Sequence, residues 1–110
     1  MKGYLGEFEE LVLLTIAAFG NEAYGVAIKE DIESRTNRSI SIGALHSTLT
    51  RLEEKKFISS WLGGATSERG GRKKRFFNLT AEGKTALSKS KELRDELWSM
   101  SQIDIKPAHD

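Results

Sequence analysis

The fold is decided by residues 41–79, which read SIGALHSTLTRLEEKKFISSWLGGATSERGGRKKRFFNL. Apolar residues recur at steps of three and four through the first third of this stretch, with Ser41 placed as an N-cap. They predict a helix ending near Lys56, with a narrow buried stripe of Ile42, Leu45, Leu49 and Leu52. Residues 57–62 and 72–79 alternate apolar and polar side chains around a glycine-rich segment, which predicts a β-hairpin.

The segments on either side of this stretch complete a recognisable order of elements. Residues 6–19 carry a wide apolar stripe at helical spacing, and residues 25–34 carry a second amphipathic pattern. After the hairpin, Thr80 is placed to cap a long helix that runs to about Met100. Three helices, a hairpin and a final long helix form the layout of a winged helix-turn-helix, in which the third helix enters a major groove.

The predicted fold is therefore mainly α, with a two-stranded β-hairpin wing and a long C-terminal dimerisation helix. We predict a winged helix-turn-helix DNA-binding domain over residues 1–80. The dimerisation helix, residues 81–101, belongs to the same compact unit, and residues 102–110 are predicted to be a disordered tail.

Charge is unevenly distributed along the 110 residues, although the net charge is only +1. Residues 35–75 hold ten basic and three acidic side chains, whereas residues 1–34 hold two basic and seven acidic ones. A basic middle segment offers a place for phosphates, although a solvated charged face would have the same composition. The absence of cysteine excludes disulfides, and no signal pattern or membrane-spanning stretch is apparent, so we expect a cytoplasmic protein.

Two groups of residues are candidates for contact with double-stranded DNA. Small and polar side chains lie on the face of the third helix opposite the apolar stripe, and five of the seven residues 69–75 are basic. Residues 53–56, which end the helix, are predicted to be ordinary solvated surface. Ser41 is expected to act mainly as the N-cap of the helix and less as a DNA contact. The predicted DNA-binding residues are Ser41, His46, Ser47, Thr50, Arg51, Arg69, Arg72, Lys73 and Lys74.

Catalytic and metal-binding functions have no support in the sequence. The two histidines, His46 and His109, lie far apart without a carboxylate arrangement that suggests a metal. No nucleophile-and-base motif and no phosphate-binding glycine loop before a helix is present. We therefore predict neither enzymatic activity nor a cofactor.

The final helix is predicted to need a partner. The stretch 88–92 is entirely polar, so the distal half of the helix cannot bury a wide face within one chain. Trp98 near its end is interpreted as a dimer-core residue or, alternatively, as an aromatic wall for a small hydrophobic effector. The predicted dimer interface consists of Phe8, Leu11, Val12, Leu93, Leu97 and Trp98.

Several short motifs, in this order, resemble the PadR-type transcriptional regulators over about residues 5–87. They are ELVLL at 10–14, YG at 24–25, SIGALH at 41–46, RLE at 51–53, FISS at 57–60, GGRKK at 70–74, FF at 76–77, LT at 79–80 and EG at 82–83. The resemblance implies a bacterial winged-helix repressor that binds an inverted repeat as a homodimer, with the first and last helices forming the interface. The single long C-terminal helix resembles the smaller branch of the family, in which some relatives respond to drugs or aromatic compounds.

Two positions depart from the family pattern. His46 stands where the family usually has a tyrosine that meets the DNA backbone. Arg94 stands where drug-binding relatives have an aromatic residue facing the dimer pore, and Trp98 follows one turn later. This departure argues against an aromatic-ligand pocket, for which Trp98 and Arg94 are the candidate residues. A winged helix that contacts another protein, without sequence-specific DNA binding, is the alternative function; it would need an apolar patch on the third helix.

Overall fold

The computed structural model describes residues 5–63 and 73–103. The elements are α1 (Glu7–Phe19), a 3-10 turn (Gly20–Glu22), β1 (Ala23–Tyr24), α2 (Gly25–Thr36), α3 (Ile42–Glu54), β2 (Ile58–Gly63), β3 (Lys74–Leu79) and α4 (Ala81–Ser101). The predicted mainly α fold with winged helix-turn-helix order is confirmed. Of the predicted tail, residues 104–110 lie outside the described residues, as do loop residues 64–72 with the predicted DNA contacts Arg69 and Arg72.

Helix α1 lies at the centre of the fold, in contact with α2, α3, α4 and β3. Its wide apolar stripe buries Val12, Leu13 and Ile16 almost completely. The same core receives apolar side chains from α2 and α3, namely Ile28, Ile32, Leu45, Leu49 and Leu52. Burial of large aliphatic side chains stabilises a fold by about 1.5–3 kcal/mol each, so this cluster is the main source of cohesion.

The stripe predicted for α3 needs one correction. Ile42 is 44% exposed, whereas Thr48, which the predicted stripe does not include, is buried. Ile42 and Thr48 lie on opposite sides of the line through Leu45, Leu49 and Leu52. Helical periodicity alone therefore does not decide which of the two is buried. Neighbouring α1 covers the flank with Thr48, and this tertiary contact decides which of the two is buried.

The sheet has three antiparallel strands in the order β1-β3-β2, so it contains one strand more than the predicted hairpin. Strand β1 is only two residues long and pairs Ala23 with Phe77 and Tyr24 with Phe76. Register also places Trp61 opposite Phe76, so three aromatic side chains share the face that points away from the core. The rings of Trp61 and Phe76 stack with centroids 4.7 Å apart, and Tyr24 meets Phe76 edge-on at 5.8 Å.

Helix α4 starts where the wing returns to the body of the protein. Thr80 caps α4 as predicted: its Oγ1 accepts a hydrogen bond from the Gly83 N–H at 3.0 Å. The same hydroxyl donates a hydrogen bond to the Lys56 carbonyl oxygen. Gly83 weakens helical propensity, but a Cβ atom at this position would collide with the Phe57 carbonyl oxygen and lie 2.8 Å from Leu79 Cδ1. Close packing of the helix on the wing therefore requires glycine here.

Candidate nucleic-acid interface

Helix α3 presents a continuous solvent-exposed ridge, which we call the α3 ridge. Gly43, Ser47, Thr50 and Glu54 follow one another at steps of four, three and four, and all are exposed. The opposite side of the helix is fixed in the core by Leu45, Leu49 and Leu52. The first three ridge residues are small or hydroxylic, so the N-terminal half of the helix can approach a groove and donate hydrogen bonds to it.

The start of α3 is capped as predicted. Ser41 Oγ accepts a hydrogen bond from the Ala44 N–H at 3.0 Å, which satisfies one of the unpaired amides of the first turn. The capping Ser41, Gly43 and Ala44 are all exposed. A capped helix end with small side chains offers its remaining amide groups to an approaching anion.

The flank of α3 that carries His46 faces the wing. His46 is exposed, and Glu53, seven residues later, lies on the same side of the helix. A Glu53 oxygen accepts a hydrogen bond from Ser60 Oγ of β2 at 2.7 Å, and Ser60 Oγ accepts one from Arg75 Nη1 of β3 at 2.9 Å. Glu53 was predicted to be ordinary surface; in the structure it links α3 to both wing strands.

The other flank of α3 faces the N-terminal turn of α1 through the carboxylate of Glu9. Lys55 Nζ lies 3.1 and 3.3 Å from the two Glu9 oxygens, and Arg51 Nε lies 3.6 Å from one of them. Glu9 also accepts a hydrogen bond from the Gly6 N–H at 3.0 Å, which is the glutamate half of a capping box; Gly6 has no side chain to supply the other half. One carboxylate therefore holds the start of α1 and the second half of α3 together, and Lys55, like Glu53, is more than solvated surface.

The pKa of Glu9 is set by opposing effects. Burial of the side chain raises the pKa, but the hydrogen bonds from Gly6 and Lys55 and the charges of Lys55 and Arg51 outweigh it. The net result is a pKa below the ordinary value for glutamate, so the carboxylate is ionised at neutral pH.

The wing presents consecutive cations, of which Lys73, Lys74 and Arg75 are described and exposed. Lys74 Nζ lies 4.2 Å from the centre of the Tyr24 ring, in cation–π geometry. Trp61 and Phe76 continue the same aromatic row, so the base of the wing is a stiff surface from which these cations extend.

The predicted dimer-interface residues have unequal positions. Leu93, Leu97 and Trp98 of α4 are half exposed, and Phe8 and Leu11 of α1 are partly buried against the core. Val12 is completely buried within the chain. The prediction for Val12 is therefore wrong for this structure: its side chain is enclosed by its own core, because the stripe of α1 is used for intramolecular packing.

Both candidate effector residues line one groove between α1 and α4. The groove has a volume of about 640 Å³, and its apolar walls are formed by Leu14, Leu79, Leu87 and Trp98. Arg94 Nη2 forms an ion pair with a Glu10 oxygen at 3.0 Å, and Ser90 Oγ donates to the other Glu10 oxygen at 3.2 Å. Arg94 is thus the link between α4 and α1 at the edge of the groove.

Sequence analysis missed Glu9, Glu10, Glu53, Lys55 and Arg75 as positioning groups. The three-residue spacing of Gly6 and Glu9 before an apolar run is the local signal that could have indicated the bond from the Gly6 N–H to Glu9. The other links join residues far apart in sequence, such as Glu9 and Lys55, and no local pattern reports them. Among residues 5–63 and 73–103, no three His, Cys, Asp or Glu side chains are grouped to hold a metal ion, and no helix is long and apolar enough to span a membrane.

Comparison with known proteins gives a consistent picture. The family model "Transcriptional regulator PadR-like family" matches residues 12–89. An uncharacterised protein of Lysinibacillus sphaericus is 31% identical over 85 residues, which are 76% of this chain and 73% of that protein. A transcriptional regulator from Clostridium thermocellum has a similar structure, with a TM-score of 0.65 at 24% identity over 94% of this chain and 95% of that one. A PadR-like transcription factor from Bacteroides fragilis has a TM-score of 0.71 at 22% identity, covering 86% and 85% of the two chains.

The Glu9 network generates a prediction for stability and its pH dependence. Glu9→Gln should lower the free energy of unfolding at pH 7 by about 1–3 kcal/mol, because Lys55 and Gly6 lose a charged acceptor in a buried place. The pKa of Glu9 is lower in the folded chain than its ordinary unfolded value of about 4.3, so ionised Glu9 stabilises the fold above that pH. This stabilisation is lost as the pH falls through the folded-state pKa, and the two proteins should converge in acid.

Urea unfolding at a fixed protein concentration, from neutral to acid pH, measures the difference. Glu7→Gln is the matched control, because it removes the same charge from a carboxylate with a side chain 79% exposed, in a 3.6 Å ion pair with Arg38. We expect that control to change stability by less than about 0.5 kcal/mol. A Glu9→Gln deficit that stays constant through the acid range would contradict the role of ionised Glu9.

Proposed function

The chain belongs to the PadR-like family of transcriptional regulators, and from this premise we propose that it binds operator DNA as a homodimer and represses transcription. The α3 ridge of each protomer would lie in a major groove, with the wing along the adjacent backbone. The observation that carries the proposal is the exposed N-terminal half of α3 beside the exposed cations Lys73, Lys74 and Arg75. Repression, rather than activation, is what resemblance to the family implies.

The composition of the α3 ridge favours groove binding over protein contact. Ser47 and Thr50 can donate to base edges or phosphates, and Gly43 allows close approach. Glu54, at the far end of the ridge, would repel phosphates, so we propose that the helix enters the groove by its N-terminal half. Ile42 is the exposed large hydrophobic residue on α3 in the described part of the chain, and one such residue is too little for an apolar docking patch.

The wing would supply sequence-independent affinity. Lys73, Lys74 and Arg75 are placed to contact phosphates beside the groove, and Arg69 and Arg72 precede them in the sequence. His46 lies on the flank of α3 that faces the wing, so we propose that it contacts the backbone between the two elements.

A second copy of the chain is the proposed partner of α4. Leu93, Leu97 and Trp98 are each more than half exposed near the end of this helix, which leaves an apolar surface that residues 5–63 and 73–103 do not cover. Pairing with the same helix of another protomer would bury these side chains and place two α3 helices on an inverted repeat. Half-sites would then be separated by about 34 Å, or one helical turn of DNA.

A small hydrophobic effector is proposed for the groove between α1 and α4. The apolar walls formed by Leu14, Leu87 and Trp98 and the volume of about 640 Å³ fit a molecule of that kind. Because the groove joins the proposed dimerisation helix to the central helix, an occupant would alter the position of the two α3 helices relative to each other.

The DNA-binding proposal predicts strongly salt-dependent affinity for the region upstream of the chain's own gene. Two protomers should bind each fluorescent duplex, more tightly than a scrambled duplex, with log affinity falling by about 0.9 per phosphate contact for each unit of log salt concentration. Neutralising Lys73 and Lys74 to glutamine removes four lysines from each two-protomer complex, so it should weaken binding to both duplexes and flatten the salt slope by up to about 4.

The control for this titration is Lys84→Gln with Lys89→Gln, which makes the same charge change on exposed α4 positions. An altered sequence preference with an unchanged salt slope would show that the wing is misplaced. Equal, weak binding of the wild type to both duplexes would instead favour the protein-contact function.

The dimer proposal predicts that a charge on the apolar face of α4 separates the protomers. Leu97→Lys should raise the dimer dissociation constant at least about tenfold in sedimentation equilibrium, because an ammonium would have to be buried in place of an apolar side chain. Ser99→Lys adds the same charge to the other side of the helix and should leave the dimer intact. Unchanged association in Leu97→Lys would refute this interface.

The effector proposal predicts that flat aromatic compounds quench Trp98. The chain has two tryptophans, so a Trp61→Phe background makes emission specific to Trp98. Quenching should be saturable and weakened by Leu14→Ala, since Leu14 lines the groove; Val26→Ala, at a residue of equal exposure on α2, should have no effect. Constant emission across a broad panel of compounds would leave Trp98 as a packing residue alone.

A further inference from the structure

Arg51 is held by an ion pair and by a hydrogen bond, whose partner oxygens lie on different elements. Its Nε lies 3.6 Å from a Glu9 oxygen on α1, and its Nη2 donates a hydrogen bond of 3.2 Å to Thr48 Oγ1 on α3. Both acceptors are immobilised, since Thr48 is 3% exposed and the Glu9 side chain is 10% exposed. The guanidinium is planar, so two fixed acceptors determine the orientation of the whole group.

The positive charge of Arg51 remains available despite these contacts. Lys55 lies closer to Glu9, at 3.1 Å, and its ammonium balances the carboxylate. Among the described residues, this cluster of one carboxylate and two cations therefore has one positive charge in excess. Arg51 carries this excess towards solvent, because 53% of its side chain is exposed, against 28% for Lys55.

The position of Arg51 on α3 indicates what this charge would meet. Arg51 lies beside the α3 ridge, on the flank that faces α1, rather than on the ridge itself. When a helix lies in a major groove its ridge meets the base edges, whereas its flanks lie near the two phosphate backbones. A guanidinium on such a flank can donate two parallel hydrogen bonds to a backbone phosphate.

We infer that Arg51 is a pre-oriented ligand for a DNA backbone phosphate, and that Glu9 and Thr48 are the residues that position it. The inference rests on the proposed function and deepens it: an arginine on a groove-binding helix can read guanine or bind phosphate, and the cluster around Arg51 favours phosphate. It has a consequence that net charge does not predict. Removing the negative charge of Glu9 should weaken DNA binding, because the loss of orientation outweighs the gain of one positive charge.

A thermodynamic cycle tests the inference by fluorescence anisotropy, with the upstream duplex and a scrambled duplex of about 30 base pairs, which is about three turns. Arg51→Ala should weaken binding to both duplexes about tenfold and reduce the salt slope by about 2, that is about 1 for each protomer. Arg51→Lys keeps the charge without the planar fork and should recover only part of the loss. Glu9→Gln and Thr48→Val should each weaken binding about threefold or more, and neither should have a further effect in the Arg51→Ala background.

Two additions make the cycle specific. Glu7→Gln removes an equal charge from the same turn of α1 and should leave affinity unchanged or slightly higher. The exchange rate of the Arg51 Nε proton, measured by NMR without DNA, should rise in both Glu9→Gln and Thr48→Val. Thr48→Val keeps the Glu9 network, so it tests the inference even where Glu9→Gln is too unstable to assay; circular dichroism establishes which variants are folded.

Tighter DNA binding by Glu9→Gln than by the wild type would overturn the inference, since Glu9 would then act only as a repelling charge. Additive effects of Glu9→Gln and Arg51→Ala would overturn it too, as would an Arg51→Ala variant with wild-type affinity and salt slope. A wild-type chain that binds neither duplex would overturn the proposed function itself, and this inference with it.

Discussion

Two adjacent carboxylates on the central helix determine how the functional elements are placed. Glu9 is bound by Arg51 and Lys55 of α3, whereas Glu10 is bound by Ser90 and Arg94 of α4. Neighbouring residues on a helix point in different directions, so one turn of α1 can bind two helices on different sides. The buried stripe of α1 fixes this turn to the core, and the positions of α3 and α4 are therefore set by the same rigid segment.

A consequence is that the proposed DNA-binding and dimerisation surfaces are joined mechanically. A shift of α4 would displace Glu10 through its ion pair with Arg94. Glu9, the next residue on α1, would move with it and would displace the second half of α3 through Arg51 and Lys55. Packed interiors respond to such displacements by moving whole elements rather than by deforming, because they are as dense as organic crystals. An effector in the groove between α1 and α4 would thus act next to the segment of α1 that holds α3.

The order and approximate extent of the helices could be predicted because each carries its own apolar period, and because Ser41 and Thr80 cap α3 and α4. Strand β1 could not be predicted, because two residues have no period and their pairing with β3 joins distant parts of the chain. Within the candidate site, the exposed positions His46, Ser47 and Thr50 followed from the same periodicity. The contacts of Glu9 with α3 did not, since they bridge 46 residues of sequence and depend on how α1 and α3 pack.

The charge pattern shows why a net charge of +1 is compatible with a DNA-binding surface. Much of the acidic charge in the described residues is neutralised close by, as in the pairs Glu9–Lys55, Glu10–Arg94, Asp31–Arg35 and Asp95–Lys91. The electrostatic potential near α3 is then set by the cations whose charge no nearby carboxylate in the described residues cancels. These are Arg51 on one flank of α3 and Lys73 and Lys74 on the wing. Glu54 marks the limit of this basic surface along α3. The affinity for DNA therefore depends on where neutralised and uncompensated charges lie, and the net charge of the chain says little about it.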